Sequence, residues 1–175
     1  MTDEDELKKL FSVSEKDFGE KHREFFFEQY KLFLQMTDNL NHRRSISNSF
    51  FLSVNTGLLS ALGLLSNLGI DSLDGWGLWI VMGAIGGSLF SYTWIRTVTS
   101  YSQLSRGKWA IIQEIEKHLP LSLYEVEWKI LGEGKDHKKY KPLTDVEKRV
   151  PYVFIILYGF LATTSILITA KIIIL

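Results

Sequence analysis

Three long apolar stretches separate the charged parts of this chain, at residues 46–68, 76–95 and 152–175. Each is close to the ~20 helical residues that cross a hydrocarbon core of ~30 Å. Only Lys171, near the end of the third stretch, places a charged side chain in any of them. The pattern therefore predicts an all-α polytopic membrane protein with three transmembrane helices in each protomer.

The charged segments before and after the first two spans also have the period of helices. From about Glu15 onwards, apolar and aromatic side chains such as Phe18, Phe25 and Met36 recur every three or four positions. Because neither Pro nor Gly separates this amphipathic helix from the first span, we expect one continuous rod. Residues 96–118 keep the same period until Pro120 ends it. Segments 1–45 and 96–150 are thus predicted to form a helical layer outside the membrane.

Two shorter patterns refine this picture. Thr144 and Glu147 have the spacing of a capping box, which predicts that a new helix starts there, just before the third span. Small residues recur every four positions in the first two spans, a spacing that lets helix backbones approach closely. They are Ser53, Gly57 and Ala61 in the first span and Gly83 and Gly87 in the second.

The net charge is zero over the whole chain, but the distribution of basic residues indicates a topology. Residues 1–45 contain 8 Lys and Arg, residues 96–150 contain 11, and the loop 69–75 contains none but has Asp71 and Asp74. Since Lys and Arg concentrate on the cytoplasmic side, we expect both long charged segments and the N-terminus in the cytoplasm. The third span then carries the C-terminus to the external side.

The first span is unusually polar for a membrane helix. We consider Asn48, Ser53, Asn55 and Thr56 as candidates for lining a pore. Polar groups in hydrocarbon must be hydrogen-bonded or wetted, so the pattern fits either bonds between helices or a water-filled conduit. Cytoplasmic-mouth or lipid-headgroup candidates are basic residues near the membrane or in a basic loop: His42, Arg43, Arg44, Lys135, Lys138 and Lys139.

Sites of enzymatic chemistry are not indicated. The chain has no cysteine, and its four histidines lack the spacing of metal ligands. The segment Gly132–Lys135 departs from a phosphate-binding loop, since its glycines are too close together and Asp136 replaces the hydroxyl. Neither a G-x-S-x-G motif nor an R-x-x-x-x-H nuclease motif occurs. We therefore expect no catalytic, metal or cofactor site, no enzyme activity and no direct binding of nucleic acid.

A scattered set of residues completes the pattern. It comprises Arg96, Ser100, Tyr101, Leu104, Gly107, Lys108, the run Ile112–Leu119 with Pro120, Glu127, Trp128, Leu131, Gly132, Tyr140, Pro142, Leu143, Thr144, Val146, Glu147, Val150 and Pro151. Together these residues resemble the RipA-like family of small octameric bacterial membrane proteins. The resemblance implies a homo-octameric ring in the bacterial inner membrane with a helical cytoplasmic vestibule. Members of that family are similar to the pore-forming accessory membrane protein of RNA-targeting type VI-B CRISPR systems, which acts in phage defence.

Two functions follow as hypotheses. The first is a homo-octameric pore or channel-like protein that changes membrane permeability in phage defence or stress. The second is a non-conducting scaffold whose cytoplasmic face docks a soluble protein partner or an anionic lipid. Membrane lipid and further copies of the chain are the partners that both hypotheses share.

Overall fold

The computed structural model describes residue 7 and residues 9–68, 73–136 and 138–170. Five α-helices lie within them: α1 (Glu15–Phe18), α2 (His22–Leu68), α3 (Leu73–Glu116), α4 (Leu123–Ile130) and α5 (Leu143–Thr169), with a short 3-10 turn at Gly132–Gly134. These described residues contain no strand, and three of the helices are long and apolar enough to cross a membrane. The predicted all-α membrane fold is confirmed.

The long helix α2 confirms the expected continuous rod, because it includes both the amphipathic segment and the first span. It starts later than predicted. The four-residue helix α1, whose first turn is capped by the Ser14 hydroxyl, ends at Phe18 and is followed by Gly19. Gly19 has φ of 90°, a left-handed conformation that breaks the helix and that side-chain-bearing residues rarely adopt. The expected helix from Glu15 is therefore divided, and its main part begins at His22.

The chain folds as two compact units, and unit 2 comprises residues 44–101 and 142–175. Its core joins aromatic and aliphatic side chains of α2, α3 and α5. The small residues of α3 allow close packing there, since a Cβ atom at Gly83 would lie 2.6 Å from a Leu62 methyl group, and one at Gly87 would meet the Tyr158 ring. A Cβ at Gly57 of α2 would meet nothing. Gly83 and Gly87 of α3 thus allow close packing within the chain, whereas Gly57 of α2 faces outward.

Unit 1 comprises residues 1–43 and 102–141. Its most deeply buried side chains are those of Ile112 (0% exposed) and Glu116 (1% exposed) at the end of α3. The Glu116 carboxylate accepts hydrogen bonds from the backbone N–H groups of Tyr124, at 3.1 Å, and of Glu125, at 3.2 Å. These are first-turn amides of α4 that have no partner in their own helix, and the N-cap residue Ser122 makes no side-chain bond to them. Glu116 therefore caps α4 from another helix.

Tyr30 of α2 completes the surroundings of this carboxylate. Its hydroxyl lies 3.4 Å from Glu116 Oε1. Burial, and then the neighbouring negative charge of Glu116, raise the pKa of Tyr30 to about 12. The hydroxyl consequently stays protonated at physiological pH and remains available as a donor.

Candidate functional site in the membrane-spanning unit

The amide of Asn55 joins three helices inside unit 2. Its side chain is completely buried, and its Nδ2 group donates to the backbone oxygen of Phe51 at 2.9 Å. The Oδ1 atom accepts from the Ser91 hydroxyl of α3, at 2.8 Å, and from the Tyr158 hydroxyl of α5, at 3.2 Å. An unpaired amide in an apolar interior costs roughly 2–7 kcal/mol. The two hydroxyls remove that penalty and fix the relative positions of the three helices.

A second polar cluster of unit 2 is charged. Arg44 of α2 donates through Nε to Glu147 Oε2 of α5, at 2.8 Å, and its Nη2 group also contacts that oxygen. The same Nη2 donates to the Thr144 hydroxyl at 2.7 Å. Only 12% of the Arg44 side chain and 15% of the Glu147 side chain are exposed. This is a nearly buried ion pair, and its geometry directs two donors of one guanidinium at α5.

Asn48 extends this cluster to the third helix. Its Nδ2 group donates to the other Glu147 oxygen at 2.8 Å, and its Oδ1 atom accepts from the indole Nε1 of Trp94 at 2.8 Å. A continuous chain of hydrogen bonds therefore runs from Arg44 through Glu147 and Asn48 to Trp94. Such a network is fully satisfied only when α2, α3 and α5 are packed together.

The predicted capping box is wrong. Helix α5 begins at Leu143, with Pro142 in the N-cap position and no side-chain bond to the first turn. Thr144 is already inside the helix, and its hydroxyl accepts from Arg44. The Glu147 carboxylate is bonded to Arg44 and Asn48 instead of turning back to the helix start. The two residues were correctly singled out, but they serve a contact between helices instead of a local cap.

A different set of polar side chains of α2 points away from the protomer. Ser49, Ser53, Thr56 and Ser60 are all exposed. Their spacing of four, three and four positions puts them on one face of the helix, which we call the hydroxyl face. None of these four side-chain hydroxyls forms a hydrogen bond with another described residue. Gly57 adjoins this face and is also exposed.

Other hydroxyls in the spans behave differently. Ser88, Thr93 and Thr163 each donate to the backbone oxygen four residues earlier, at 2.8–3.0 Å. Their hydrogen-bonding capacity is thus met inside their own helix, as is usual for Ser and Thr in apolar surroundings. Among the described side chains of the first span, the hydroxyl face of α2 is therefore an exposed polar surface that is available to water or to a second copy.

The four pore-lining candidates consequently fall into two groups. Asn48 and Asn55 lie inside the protomer, and Ser53 and Thr56 lie on the exposed hydroxyl face. The candidates do not share one face of α2, because Asn48 and Asn55 are seven positions apart and turn towards α3 and α5 together. The lining role stays a prediction, and the protomer favours Ser53 and Thr56 for it.

The mouth and headgroup candidates are also divided. His42 and Arg43 are exposed, whereas Arg44 is engaged with Glu147. In the basic loop, Lys138 and Lys139 are exposed. Lys135, which is also exposed, forms an ion pair with Glu133 at 2.7 Å, and the hydrogen bond with Glu133 raises the pKa of Lys135. Part of the positive charge of this loop is thus neutralised locally.

Several residues of the polar clusters were not identified from the sequence. Ser91, Trp94 and Tyr158 are isolated polar or amphipathic side chains in apolar spans. Their common signal is that each can donate a hydrogen bond to an asparagine of α2. Among the described residues, no group of three or more His, Asp or Glu side chains is placed to hold a metal ion. The predictions for the loop 69–72 and for His137 and Lys171 lie outside the described residues.

The sequence was also compared with known proteins. The family model described as "Octameric membrane protein family (8xMP)" matches residues 27–167. No curated protein and no solved structure matches the chain. The match covers the first two spans, the greater part of the third span and both polar clusters.

Proposed function

Since this chain belongs to the octameric membrane protein family, we propose that eight copies form a ring around a water-filled passage through the membrane. In this proposal the hydroxyl face of α2 lines the passage. Family membership supports self-assembly in the membrane, and the finer assignment to RipA-like and CRISPR-associated relatives remains an expectation from the sequence. The observation that carries the proposal is the exposure of Ser49, Ser53, Thr56 and Ser60 along one face.

The physical argument concerns where exposed hydroxyls can stand in a bilayer. Hydrocarbon offers no hydrogen-bond partner, so polar faces of membrane helices turn to protein or to water. Because Asn48 and Asn55 are bonded within the protomer, the hydroxyl face is an exposed polar surface that the described side chains of the first span offer to their surroundings. A closed ring brings the same face of every copy to one axis, where eight sets of four hydroxyls would be wetted.

The chemistry of this face suits a passage of low selectivity. It carries hydroxyl groups and no charge, whereas strongly selective filters use rings of charged side chains or of backbone carbonyls. The first two spans contain no charged side chain, so the proposal includes no coupling of the passage to a proton or ion gradient. Loss of the membrane gradient on opening would be the cellular effect.

The location and role belong to the same proposal. We place the ring in the bacterial inner membrane, with the N-terminus cytoplasmic and the C-terminus external, because Lys and Arg concentrate in residues 1–45 and 96–150. Opening of the passage during phage infection or stress would depolarise the cell. The charge distribution and the resemblance to pore-forming accessory proteins support these assignments.

The lining can be tested by introducing single cysteines, because the chain has none of its own. We expect Thr56→Cys octamers in planar bilayers to lose conductance when a membrane-impermeant thiosulfonate reagent attaches a bulky group to the thiol. Ser53→Cys should respond in the same way. Val54→Cys is the matched control, since Val54 is exposed on another face of the same helix, and its modification should leave the conductance unchanged.

Two results would contradict the proposal. If intact octamers conduct but neither thiol on the hydroxyl face reacts, water does not reach this face and α2 does not line the passage. If intact octamers show no conductance and no dye flux under any condition that preserves the ring, the protein is not a pore.

A non-conducting scaffold is the second candidate, and the exposure of Lys138, Lys139 and Lys141 favours it. These side chains could dock an acidic cytoplasmic protein or an anionic lipid. A partner that co-purifies stoichiometrically with the octamer and is lost from Lys138→Glu/Lys139→Glu, together with absence of conductance, would support this function over the pore.

A further inference from the structure

Unit 1 contains a cavity of about 340 Å³ that has no part in the proposed membrane passage. Its walls come from the start of α2, the segment 10–13 and the end of α3, with Ile111 and Ile115 of α3 on one side. All of these residues belong to unit 1. The volume lies at the lower end of the ~300–1,000 Å³ typical of small-molecule sites.

The lining of this cavity is aromatic and uncharged. Five phenylalanines contribute to it, and no Asp, Glu, Lys or Arg does. The rings support each other: Phe11 stacks on Phe26 with centroids 6.3 Å apart, and Phe18 meets Phe25 edge-on at 5.6 Å. The walls are thus formed by mutually packed rings, which hold their shape better than isolated flexible side chains would.

A few polar groups interrupt the apolar lining. The Gln29 amide offers both a donor and an acceptor, and the His22 and Tyr30 side chains also line the cavity. An apolar cavity with a small number of polar groups is the usual form of a ligand site. The polar groups fix the orientation of a ligand, and the apolar walls supply most of its affinity.

We propose that this cavity binds a neutral, mainly apolar small molecule that carries an aromatic ring system and one hydrogen-bonding group. The argument has two steps. Phe11, Phe18 and Phe25 remain 38–49% exposed in the protomer, so a bound molecule would remove their apolar surface from water. A charged ligand would lose its hydration without meeting a counter-ion in the lining, which is strongly unfavourable.

The test uses thiol protection in the full chain, assembled as octamers in lipid nanodiscs. Gln29→Cys places the thiol in the lining, and Gln35→Cys is its matched control, since both glutamines are exposed on α2 and only Gln29 lines the cavity. The probe is N-phenyl-1-naphthylamine, a neutral aromatic amine. At a probe concentration about ten times the dissociation constant, the rate at which N-ethylmaleimide modifies Gln29→Cys should fall about tenfold, and saturably. The rate for Gln35→Cys should not change.

A second ligand and a second variant sharpen the result. The anionic analogue 8-anilinonaphthalene-1-sulfonate should need a much higher concentration to give the same protection. Gln29→Trp, which narrows the cavity, should reduce photolabelling of residues 10–33 by a neutral benzophenone, and Gln35→Trp should not.

Three outcomes would overturn the proposal. Equal slowing at both thiols would mean that the probe only dissolves in lipid near the protein. Better protection by the anionic analogue would assign the cavity to a different class of ligand. A Gln29→Cys thiol that is unreactive in the octamer before any probe is added would mean that a second copy of the chain already fills the cavity.

Discussion

Two glutamates, one in each unit, are removed from solvent by different partners. Glu116 in unit 1 is 1% exposed and accepts hydrogen bonds from the backbone N–H groups of Tyr124 and Glu125. Glu147 in unit 2 is bonded to the Arg44 guanidinium and the Asn48 amide. Among the described residues, no ion pair includes Glu116. One carboxylate is thus satisfied by the dipoles of a helix N-terminus, and the other by a side-chain cation.

The difference predicts how each unit responds to substitution. Two of the three partners of Glu116 are backbone groups, which no side-chain change removes, and the Tyr30 hydroxyl is the third. The positive end of the α4 dipole adds to the effect of the backbone groups. The main partner of Glu147 is one side chain, and its loss leaves a charge with little water around it. Unit 2 should therefore be more sensitive to single substitutions in its charged cluster than unit 1 is.

The largest effect is expected from Arg44→Met. Breaking a buried pair from one side costs about 3–5 kcal/mol, so the apparent Tm of the detergent-solubilised protein should fall by on the order of 10 °C. The double variant Arg44→Met/Glu147→Met should recover a large part of the loss, because it removes the unpaired charge. Arg43→Met is the control, since Arg43 is exposed. Equal Tm values for Arg44→Met and Arg43→Met would show that the ion pair between Arg44 and Glu147 does not stabilise unit 2.

Asn55→Leu replaces a neutral buried group and should rank second. It leaves the Ser91 hydroxyl without its acceptor, whereas the Tyr158 hydroxyl keeps the backbone oxygen of residue 55 at 3.1 Å. We expect a cost of about 1–3 kcal/mol. Thermal unfolding measures the change, with Asn41→Leu at an exposed position of α2 as the control. A loss larger than that of Arg44→Met would contradict the view that charge makes unit 2 sensitive.

Glu116→Gln tests the carboxylate of unit 1 directly. The amide keeps one acceptor oxygen but loses the charge, so the hydrogen bonds to α4 should weaken by about 1 kcal/mol. Amide hydrogen exchange at Tyr124 and Glu125 should accelerate about fivefold, and the global Tm should change little. Glu127→Gln, at an exposed position of α4, should leave the exchange rates at Tyr124 and Glu125 unchanged. Unchanged exchange in Glu116→Gln would mean that the charge contributes nothing to capping.

The smallest effect is expected from Lys129→Ala on the exposed face of α4. Lys129 and Glu125 form an ion pair at 2.6 Å, and the hydrogen bond from Lys129 lowers the pKa of Glu125. A carboxyl group whose pKa is lowered in the folded state contributes stability at pH values above its ordinary pKa. This contribution is lost as the pH falls through the folded-state pKa. Because both groups are in water, screening makes this contribution minor. For Lys129→Ala we expect an unchanged Tm at pH 7 and a Glu125 pKa, measured by NMR titration, that rises towards its ordinary value. A marked drop in Tm would contradict this prediction.

The helices of both units could be predicted from the sequence because their signals are local. The apolar stretches at 46–68, 76–95 and 152–175 and the three-to-four periodicity define the spans and the amphipathic segments without reference to the fold. The unbroken rod of α2 follows equally from the lack of Pro and Gly between residues 20 and 56. Only the start of α2 was predicted too early. The chain breaks the helix at Gly19, which has a positive φ angle, and whether a glycine adopts such an angle depends on the surrounding structure.

The candidate site was predictable in composition but not in arrangement. Asn48, Ser53, Asn55 and Thr56 all stand out as polar residues in an apolar span, and composition alone gives no reason to separate them. The error at Thr144 and Glu147 has the same origin, because a capping box assumes that the nearest backbone amides are the best partners. In the folded chain a guanidinium from α2, about a hundred positions away, binds both side chains.

The sequence by itself determined that this protein is helical, that it spans a membrane three times and that its first span is polar, because hydrophobicity and periodicity act over a few residues at a time. Only the tertiary structure decided that the asparagines bond inward, that the hydroxyls face outward, and that Glu116 caps a helix other than its own. Those choices depend on which helix faces are brought together, since a hydrogen bond in an apolar interior forms only where a donor from one helix meets an acceptor from another.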